Sequence, residues 1–300
     1  MTARIKPIKG GTGSPFFERG GELDGEEELT VGLPPSTAGQ PTLSSPAPTS
    51  VDLTGKAKAW FAIGPGRSGK TTLLRYLAEA ISASGREAVF AAMDPQNRSL
   101  KGFLDGVLEP PTNDAAAVAK WLERLLRHSM SGPYSALLDL GGGDTSLGRL
   151  LDSVPDLVEA LEGSGVAPVA VYTLGPRVDD LASLASFEAR GFQPEATALV
   201  LNEGLSDPTL SREEAFARVM RHSAFRGAVA RGATQIWMPR LEPSVAAEIE
   251  AKRLNFVDAR DAVQPDGRQA STLGPFDRSR VRKWLVSMDT ELAPVRSWLP

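Results

Sequence analysis

An eight-residue segment of the sequence combines glycines, a lysine and a threonine in a pattern that binds phosphate. Residues 64–71 read G-P-G-R-S-G-K-T, between the apolar run 59–63 and a helical pattern that starts at Thr72. Glycines let the backbone curl around phosphate oxygens, and the following helix directs its N–H groups and positive dipole end at the same point. Lys70 is expected to reach the β- and γ-phosphates of a nucleotide, and the Thr71 hydroxyl to bind Mg²⁺. The predicted nucleotide-binding residues are Gly64, Gly66, Arg67, Ser68, Gly69, Lys70, Thr71 and Thr72.

Apolar runs of strand length alternate with helical patterns on both sides of this loop. Strands are expected at 59–63, 87–93, 135–140, 167–173, 196–202 and 234–238. Helices are expected from Thr72 to a C-cap near Gly85, and at 114–128, 153–162, 178–189 and 211–231. This alternation predicts a doubly wound α/β fold, with a mainly parallel sheet and helices on both faces. Ligands of such sheets bind beyond the carboxyl ends of the strands.

Polar or turn-forming residues follow most of the predicted strands. Asp94-Pro95-Gln96-Asn97 follows the second strand, and Asp139 leads through Leu140 into Gly141, Gly142 and Gly143 at the end of the third. The fifth strand ends at Asn202 and the sixth leads to Pro239. An aspartate that closes an apolar strand is suited to an Mg²⁺ site. Three glycines let the backbone approach a γ-phosphate and move when it leaves.

These segments, in this order and spacing, resemble the ParA/MinD group of P-loop ATPases, which includes ATPases of plasmid partition and of conjugative plasmids. The similarity covers about residues 60–253, and D-P-Q-N is its most specific part. It implies that Asp94 orients the attacking water or the Mg²⁺ shell, and that Asp139 holds the metal through water. It also implies that Asn202 and Pro239 line an adenine pocket, so that ATP is favoured over GTP. The expected catalytic residues are Lys70, Asp94 and Asp139, to which Arg67 is added for its charge, with Gly142 near the γ-phosphate and Thr71, Asp94 and Asp139 at the metal.

The loop departs from the family pattern at two positions. Pro65 stands where the family usually has a lysine that reaches across an ATP-bridged dimer, and Arg67 stands where it has a glycine. A guanidinium can stabilise charge on a transferred phosphoryl group, as arginine fingers do, or it can simply face solvent. Both interpretations of Arg67 stay open, and with them the ATP-dependent homodimer.

Composition limits the other classes of site. The chain has 300 residues, a formal net charge of −4, no cysteine and two histidines, His128 and His222. A disulfide framework and a cysteine-based zinc site are therefore excluded, and a histidine-centred mechanism is disfavoured. No apolar run approaches the ~20 residues that a membrane span requires, and a signal-peptide core is lacking, so we expect a cytoplasmic protein.

The first part of the chain has the composition of a disordered segment. Residues 1–54 are rich in Pro, Gly, Ser and Thr, with few large apolar side chains and an acidic run at Glu26–Glu28. Such a segment cannot bury enough apolar surface to offset the entropy of ordering it. We therefore expect a disordered arm over 1–54 and an ATPase domain with C-terminal helices over 55–300.

Two basic stretches bear on partners. They comprise Arg218, Arg221 and Arg226 near His222, and Arg278, Arg280, Arg282 and Lys283 near the last predicted helix. Partition-type ATPases bind nonspecific DNA through basic C-terminal surfaces, so the resemblance implies a DNA site here, together with a partner protein of a partition or transfer complex. The alternative is that these are ordinary solvated helix faces, in keeping with the negative net charge.

Three functions remain open. The first is a slow, partner-stimulated ATPase that acts as a nucleotide-dependent switch in DNA partition, positioning or conjugative transfer. The second is an ATP-dependent synthetase or amidoligase that phosphorylates a small carboxylate. The third is a nucleotide-binding scaffold without catalysis.

Overall fold

The computed structural model describes residues 51–93, 100–132, 134–142, 144–261 and 273–300. Within these ranges there are six strands: β1 Ala57–Ile63, β2 Val89–Ala92, β3 Ala136–Leu140, β4 Val166–Leu174, β5 Ala196–Asn202 and β6 Thr234–Met238. The α-helices of the same ranges are α1 Lys70–Ala83, α2 Ala115–Ser131, α3 Ser146–Ser153, α4 Leu157–Gly163, α5 Ala182–Ala189, α6 Arg212–Arg221, α7 Ser223–Ala230, α8 Pro243–Ala251, α9 Phe256–Asp261 and α10 Pro275–Glu291. Short 3₁₀ turns lie at Leu100–Gly102, Val178–Leu181, Glu203–Leu205 and Ala293–Trp298.

The strands form one sheet in the order β2-β3-β1-β4-β5-β6, and every neighbouring pair is parallel. The predicted parallel sheet is confirmed. β1 pairs with β3 on one side and β4 on the other, so that Ala62 lies opposite both Asp139 and Val171. The segment after β1 therefore emerges between the carboxyl ends of β3 and β4.

Side chains of the central strand alternate between two cores, one on each face of the sheet. Trp60 and Ala62 belong to one core, whereas Phe61 and Ile63 belong to the other. Helices α1, α8, α9 and α10 pack in the first core, and α2 to α7 in the second. Because strands that are buried on both faces read as continuous apolar runs, this arrangement explains the strand sequences. The expected fold class, α/β with helices on both faces, is confirmed.

Several helices differ from the sequence prediction. The helix expected at 211–231 is broken at His222, whose backbone is extended and whose ring Nδ1 accepts a hydrogen bond from the Ala224 N–H at 3.2 Å. This cap satisfies an N–H at the start of α7 and ends α6. The helix expected at 153–162 begins only at Leu157, and α3 precedes it. Helices α8 and α9 were not predicted.

The two ends of the described chain meet beside the first core. The Val51 carbonyl accepts a hydrogen bond from the Trp298 indole at 2.7 Å, and the Trp298 carbonyl accepts one from the Trp60 indole at 2.6 Å. Leu53 is 4% exposed. Val51 and Leu53 of the predicted arm thus pack on the domain, and residues 1–50 lie outside the described residues. No helix in the described ranges is long and apolar enough to cross a membrane.

Candidate functional site

The loop between β1 and α1 folds around its own lysine. The Lys70 ammonium donates hydrogen bonds to the carbonyl oxygens of Gly64 at 2.8 Å and Pro65 at 2.9 Å. Lys70 is 7% exposed, so its charge is largely removed from water and held over the loop. A buried ammonium in this position attracts an anion strongly, because the local dielectric is low.

Neighbouring strand ends hold the loop in place. The Ser68 side chain is 1% exposed, and its hydroxyl lies 2.6 Å from that of Thr173 near the end of β4. The Asn202 amide, at the end of β5, donates to the Ser68 carbonyl oxygen at 2.9 Å, and its Oδ1 accepts from the Gly204 N–H at 2.9 Å. Asn202 therefore positions the loop in this structure, and its contact with a nucleotide base stays a prediction. Sequence reasoning missed Thr173, which is an apolar-run residue by sequence.

Gly69 begins α1 in the left-handed region, with φ +97°. A Cβ at this position would collide with the Asn202 side chain and would approach the Met238 methyl group to 3.2 Å. A residue with a side chain is thus excluded by both conformation and contact. The first turn of α1 contains no acidic residue, as an anion site at a helix N-terminus requires.

The glycine segment after β3 lies directly against the phosphate loop. A Cβ on Gly142 would come within 2.5 Å of the Gly66 nitrogen and 3.0 Å of the Pro65 carbonyl carbon. The two backbones are therefore in contact. Gly143 and Asp94-Pro95-Gln96-Asn97 lie outside the described residues.

Two of the three predicted metal-site residues line the same cavity. Thr71 is in the first turn of α1, and Asp139, in β3, is 8% exposed. Asp139 lies opposite Ala62 of β1 and Ala92 of β2 in the sheet register. Hydroxyl and carboxylate oxygens are suitable ligands, direct or through water, for Mg²⁺.

Arg67 has an unusual backbone conformation. Its φ is +65°, in the left-handed region, and its side chain is exposed at the mouth of the cavity. The left-handed region costs a residue with a Cβ on the order of 1 kcal/mol. Glycine would adopt this conformation at a lower cost in free energy, yet the loop has an arginine at this position.

The loop opens into a cavity of about 560 Å³. All eight predicted loop residues except Gly64 and Gly66 line it, as do Asn202 and Pro239. Beyond Pro239, the wall is formed by α8, and the Pro239 carbonyl accepts a hydrogen bond from the Trp284 indole at 2.9 Å. The structure therefore brings the phosphate loop and the strand-end residues to one cavity.

The cavity also has a wall that the sequence did not predict. It is formed by Arg75, Phe103, Phe256, Trp284 and Glu250. These residues come from α1, from the segment after the first 3₁₀ turn, and from α9, α10 and α8. No short sequence motif contains these residues. The only sequence feature that could have indicated one of them is the spacing of Arg75, which follows Lys70 by about one and a half turns of the same helix.

A partly buried carboxylate supports this second wall. Glu79 accepts hydrogen bonds from the backbone N–H groups of Phe256 at 2.7 Å and Val257 at 2.8 Å, and so holds the start of α9 against α1. Burial raises the pKa of Glu79 to about 7, although these two hydrogen bonds and the nearby Arg75 oppose the shift.

The two basic stretches lie on opposite faces of the sheet. Arg218 and Arg221 are on α6, in the layer of the second core, whereas Arg280, Arg282 and Lys283 are on α10, in the layer of the first. Arg280 pairs with Asp277 on its own helix. Phe276, 80% exposed, stands beside the second stretch.

No protein-family model and no curated protein matches this chain. Solved structures with some similarity include chloroplast FtsY from Physcomitrella patens, at TM-score 0.41 and 16% identity over 63% of this chain and 61% of that chain. A nucleotide-binding protein from Archaeoglobus fulgidus in complex with ADP has TM-score 0.40 and 14% identity over 68% and 88%. FtsY from Mycoplasma mycoides has TM-score 0.35 and 13% identity over 61% of each chain.

The chain spans less than two thirds of either FtsY chain. Likenesses of this size do not carry an assignment of function. The chain's own strand, phosphate loop and helix, set in an all-parallel sheet, give it the architecture of a P-loop nucleotide-binding domain.

Proposed function

We propose that this protein binds ATP with Mg²⁺ and hydrolyses it slowly, as a nucleotide-dependent switch of the ParA/MinD type. The observation that carries the proposal is the contact of Gly142 with the backbone of Pro65 and Gly66. A γ-phosphate bound at the loop has to be accommodated where these two backbones meet. Its presence or loss therefore changes the position of the segment after β3, which is what a switch requires.

The cavity residues suit the triphosphate and the metal. Lys70 exchanges its bonds to the Gly64 and Pro65 carbonyls, in part, for bonds to phosphate oxygens, and the N-terminus of α1 supplies backbone donors. Thr71 and Asp139 would hold Mg²⁺, directly or through water. The metal supplies neutralisation of the negative charge that develops on the phosphate oxygens.

Two further catalytic roles are proposed from the sequence, the first from the resemblance and the second from the charge of the Arg67 guanidinium. Asp94 orients the attacking water or the metal shell, and Arg67 supplies the positive charge that the missing family lysine would otherwise bring. The exposure of Arg67 at the cavity mouth supports this second role, because a partner protomer's nucleotide can reach it. An Asp94→Ala variant with an unchanged hydrolysis rate would remove the first role.

The process served is DNA partition, positioning or conjugative transfer, with nonspecific DNA and a protein of the transfer complex as partners. The α10 stretch is the better DNA candidate, because its four basic residues lie within six positions of a single helix, where they can contact neighbouring phosphates. Affinity that depends on phosphate contacts falls steeply with salt.

The test is the molar mass of the full chain without nucleotide, with ADP and with ATP–Mg²⁺, together with ATP hydrolysis with and without duplex DNA. A monomer that dimerises only with ATP and hydrolyses faster with DNA is expected. A mass that is indifferent to ATP and a rate that is indifferent to DNA would contradict the switch.

A second function, ATP-dependent activation of a small carboxylate, is favoured by one observation. The cavity continues past the phosphate loop to a wall with its own buried cation, Arg75. Such an enzyme turns over ATP only when its co-substrate is present, whereas the switch hydrolyses ATP slowly on its own. A third candidate, a scaffold without catalysis, binds ATP but shows no hydrolysis under any of these conditions.

A further inference from the structure

The cavity beside the phosphate loop, called the groove below, is lined by residues of two helices, α1 and α8. Lys70, Thr71, Thr72 and Arg75 line it from α1, with Gly69 at the N-cap of that helix. At a rise of 1.5 Å per residue, Arg75 lies about 7.5 Å along the helix axis from Lys70. On the other side, α8 lines the groove from Pro243 to Glu250, a span of about 10 Å. The groove thus extends well beyond the point where the loop receives phosphate.

Arg75 is buried at the far end of this groove, with 7% of its surface exposed. Its guanidinium carbon lies 3.6 Å from the centroid of the Phe103 ring and 4.6 Å from that of Phe256. The two rings hold the flat group in place, so its edge is the part left for hydrogen bonding.

Most of the N–H groups on that edge have no hydrogen-bond acceptor among the described residues. Arg75 donates one hydrogen bond there, from Nη2 to the Leu254 carbonyl oxygen at 2.8 Å. A guanidinium has five N–H donors, so four are not accounted for by this bond. Glu79 and Glu250 influence Arg75 through space, but neither forms an ion pair with it among the described residues.

A buried arginine normally has an anionic partner, because taking its charge out of water is costly. Desolvation lowers the pKa of Arg75 to about 10, against the opposing effect of Glu79 and Glu250. The side chain is therefore still charged at neutral pH. The described protein supplies no direct counter-ion, and the group lines an open cavity.

We propose that Arg75 binds an oxyanion, a carboxylate or a phosphate, at the far end of the groove. The oxyanion belongs either to the nucleotide itself or to a second small molecule with an apolar or flat body. The aromatic wall of Phe103, Phe256 and Trp284 suits such a body. The inference rests on the proposed function in one respect, that a nucleotide binds in this cavity.

The experiment compares the full wild-type chain with Arg75→Met and Arg75→Lys. Calorimetry gives the Kd of adenosine, AMP and ADP for each, and ligand-detected NMR gives the binding of inorganic phosphate and of benzoate to the ADP-saturated proteins. Arg86→Met is a matched control, because Arg86 also donates to a backbone carbonyl, that of Leu299 at 3.2 Å, but lies outside the cavity. Thermal unfolding reports whether each variant is folded.

If the oxyanion is the nucleotide's own, Arg75→Met weakens AMP and ADP by about tenfold or more and leaves adenosine unchanged. If it belongs to a second molecule, ADP binds as in the wild type, and phosphate or benzoate binding to the ADP-bound protein is lost. In either case Arg75→Lys restores part of the binding because it keeps the charge, and Arg86→Met changes none of it.

Two results would overturn the inference. In the first, Arg75→Met unfolds at a lower temperature but binds every probe like the wild type. The side chain would then serve only to hydrogen-bond the Leu254 carbonyl oxygen. In the second, adenosine binding falls as much as ADP binding, so the contact is with the nucleoside. Should Arg75→Met fail to fold, Arg75→Lys decides, since loss of the planar fork alone weakens oxyanion binding. A Lys70→Ala variant that binds ADP normally would refute the proposed function, yet it would leave the phosphate and benzoate results intact.

Discussion

The two ends of the cavity are built in different ways. The loop end is lined largely by one contiguous segment, residues 67–72, with one buried lysine, and the backbones of Gly66 and Gly142 pack against each other next to it. The far end consists of side chains from separate elements, with Arg75 held between Phe103 and Phe256. A site made of backbone needs glycines at fixed spacing and leaves a readable motif, whereas a site made of side chains depends on packing and leaves none.

The two ends also differ electrostatically. At the loop end, Lys70 is surrounded by carbonyl oxygens and the start of a helix. At the far end, Arg75 and Glu79 have pKa values shifted by burial toward their neutral forms. The loop end is thus suited to bind an anion. At the far end, stability depends on the protonation states of Arg75 and Glu79 themselves.

The largest expected effect is at the loop end. Lys70→Ala removes the buried ammonium, and with it charge-assisted hydrogen bonds worth about 3 kcal/mol in total, so ATP affinity should fall by about 100-fold. A titration with ATP–Mg²⁺ measures this. Arg86→Met, which lies outside the cavity, should bind ATP normally. Undiminished affinity in Lys70→Ala would end the phosphate-loop assignment.

At the far end, Glu79 is expected to make the free energy of unfolding depend on pH. The Glu79 pKa rises from 4.5 in the unfolded chain to about 7 in the fold, so the folded state binds more protons between these values. Stability contributed by this group is therefore present below pH 4.5 and is lost as pH rises through 7, by about 3 kcal/mol. Denaturant unfolding at several pH values should show this slope in the wild type and a flatter one in Glu79→Gln. Parallel curves for the two proteins would contradict the shift.

The backbone contact at the loop end gives the next effect. Gly142→Ala places a Cβ within 2.5 Å of the Gly66 nitrogen, so one of the two segments must move. We expect ATP hydrolysis to fall by about tenfold, with a smaller change in ADP affinity, since ADP lacks the γ-phosphate. Gly227→Ala is the control, because its Cβ would meet only the Arg231 side chain at 3.6 Å. Equal hydrolysis in both variants would show that the contact plays no part in the reaction.

Arg67→Gly is expected to change the free energy of unfolding least, and to raise it rather than lower it. Glycine adopts the observed φ of +65° freely, so relief of strain should stabilise the fold by up to about 1 kcal/mol. Loss of the guanidinium should lower ATP hydrolysis at the same time. Paired measurements of Tm and hydrolysis rate check this, with Arg67→Lys keeping a charge. If the variant is more stable and hydrolyses ATP at the wild-type rate, the Arg67 side chain has no part in the reaction and simply faces solvent.

Much of the fold was predictable because buried parallel strands leave long apolar runs. The strand at 196–202 and the strand at 234–238 have the predicted bounds. Helix ends were less predictable, as at His222, where one side-chain cap divides a continuous helical pattern. Asn202 illustrates the same limit within the site: its place at a strand end was predicted, but its hydrogen bond to Ser68 depends on how two loops pack.

The sequence by itself determined the phosphate loop, the all-parallel sheet class and the strand ends that meet there. These features follow from local rules: glycine spacing, apolar periodicity and the geometry of a strand followed by a helix. Only the tertiary structure decided the strand order, the contact of Gly142 with the loop, and the far wall of the cavity. Arg75, Phe103 and Phe256 are separated by up to 181 positions, from 75 to 256, and come together because α1 and α9 bury their apolar faces in one core. Burial against distant segments is a property of the whole fold, and no local pattern records it.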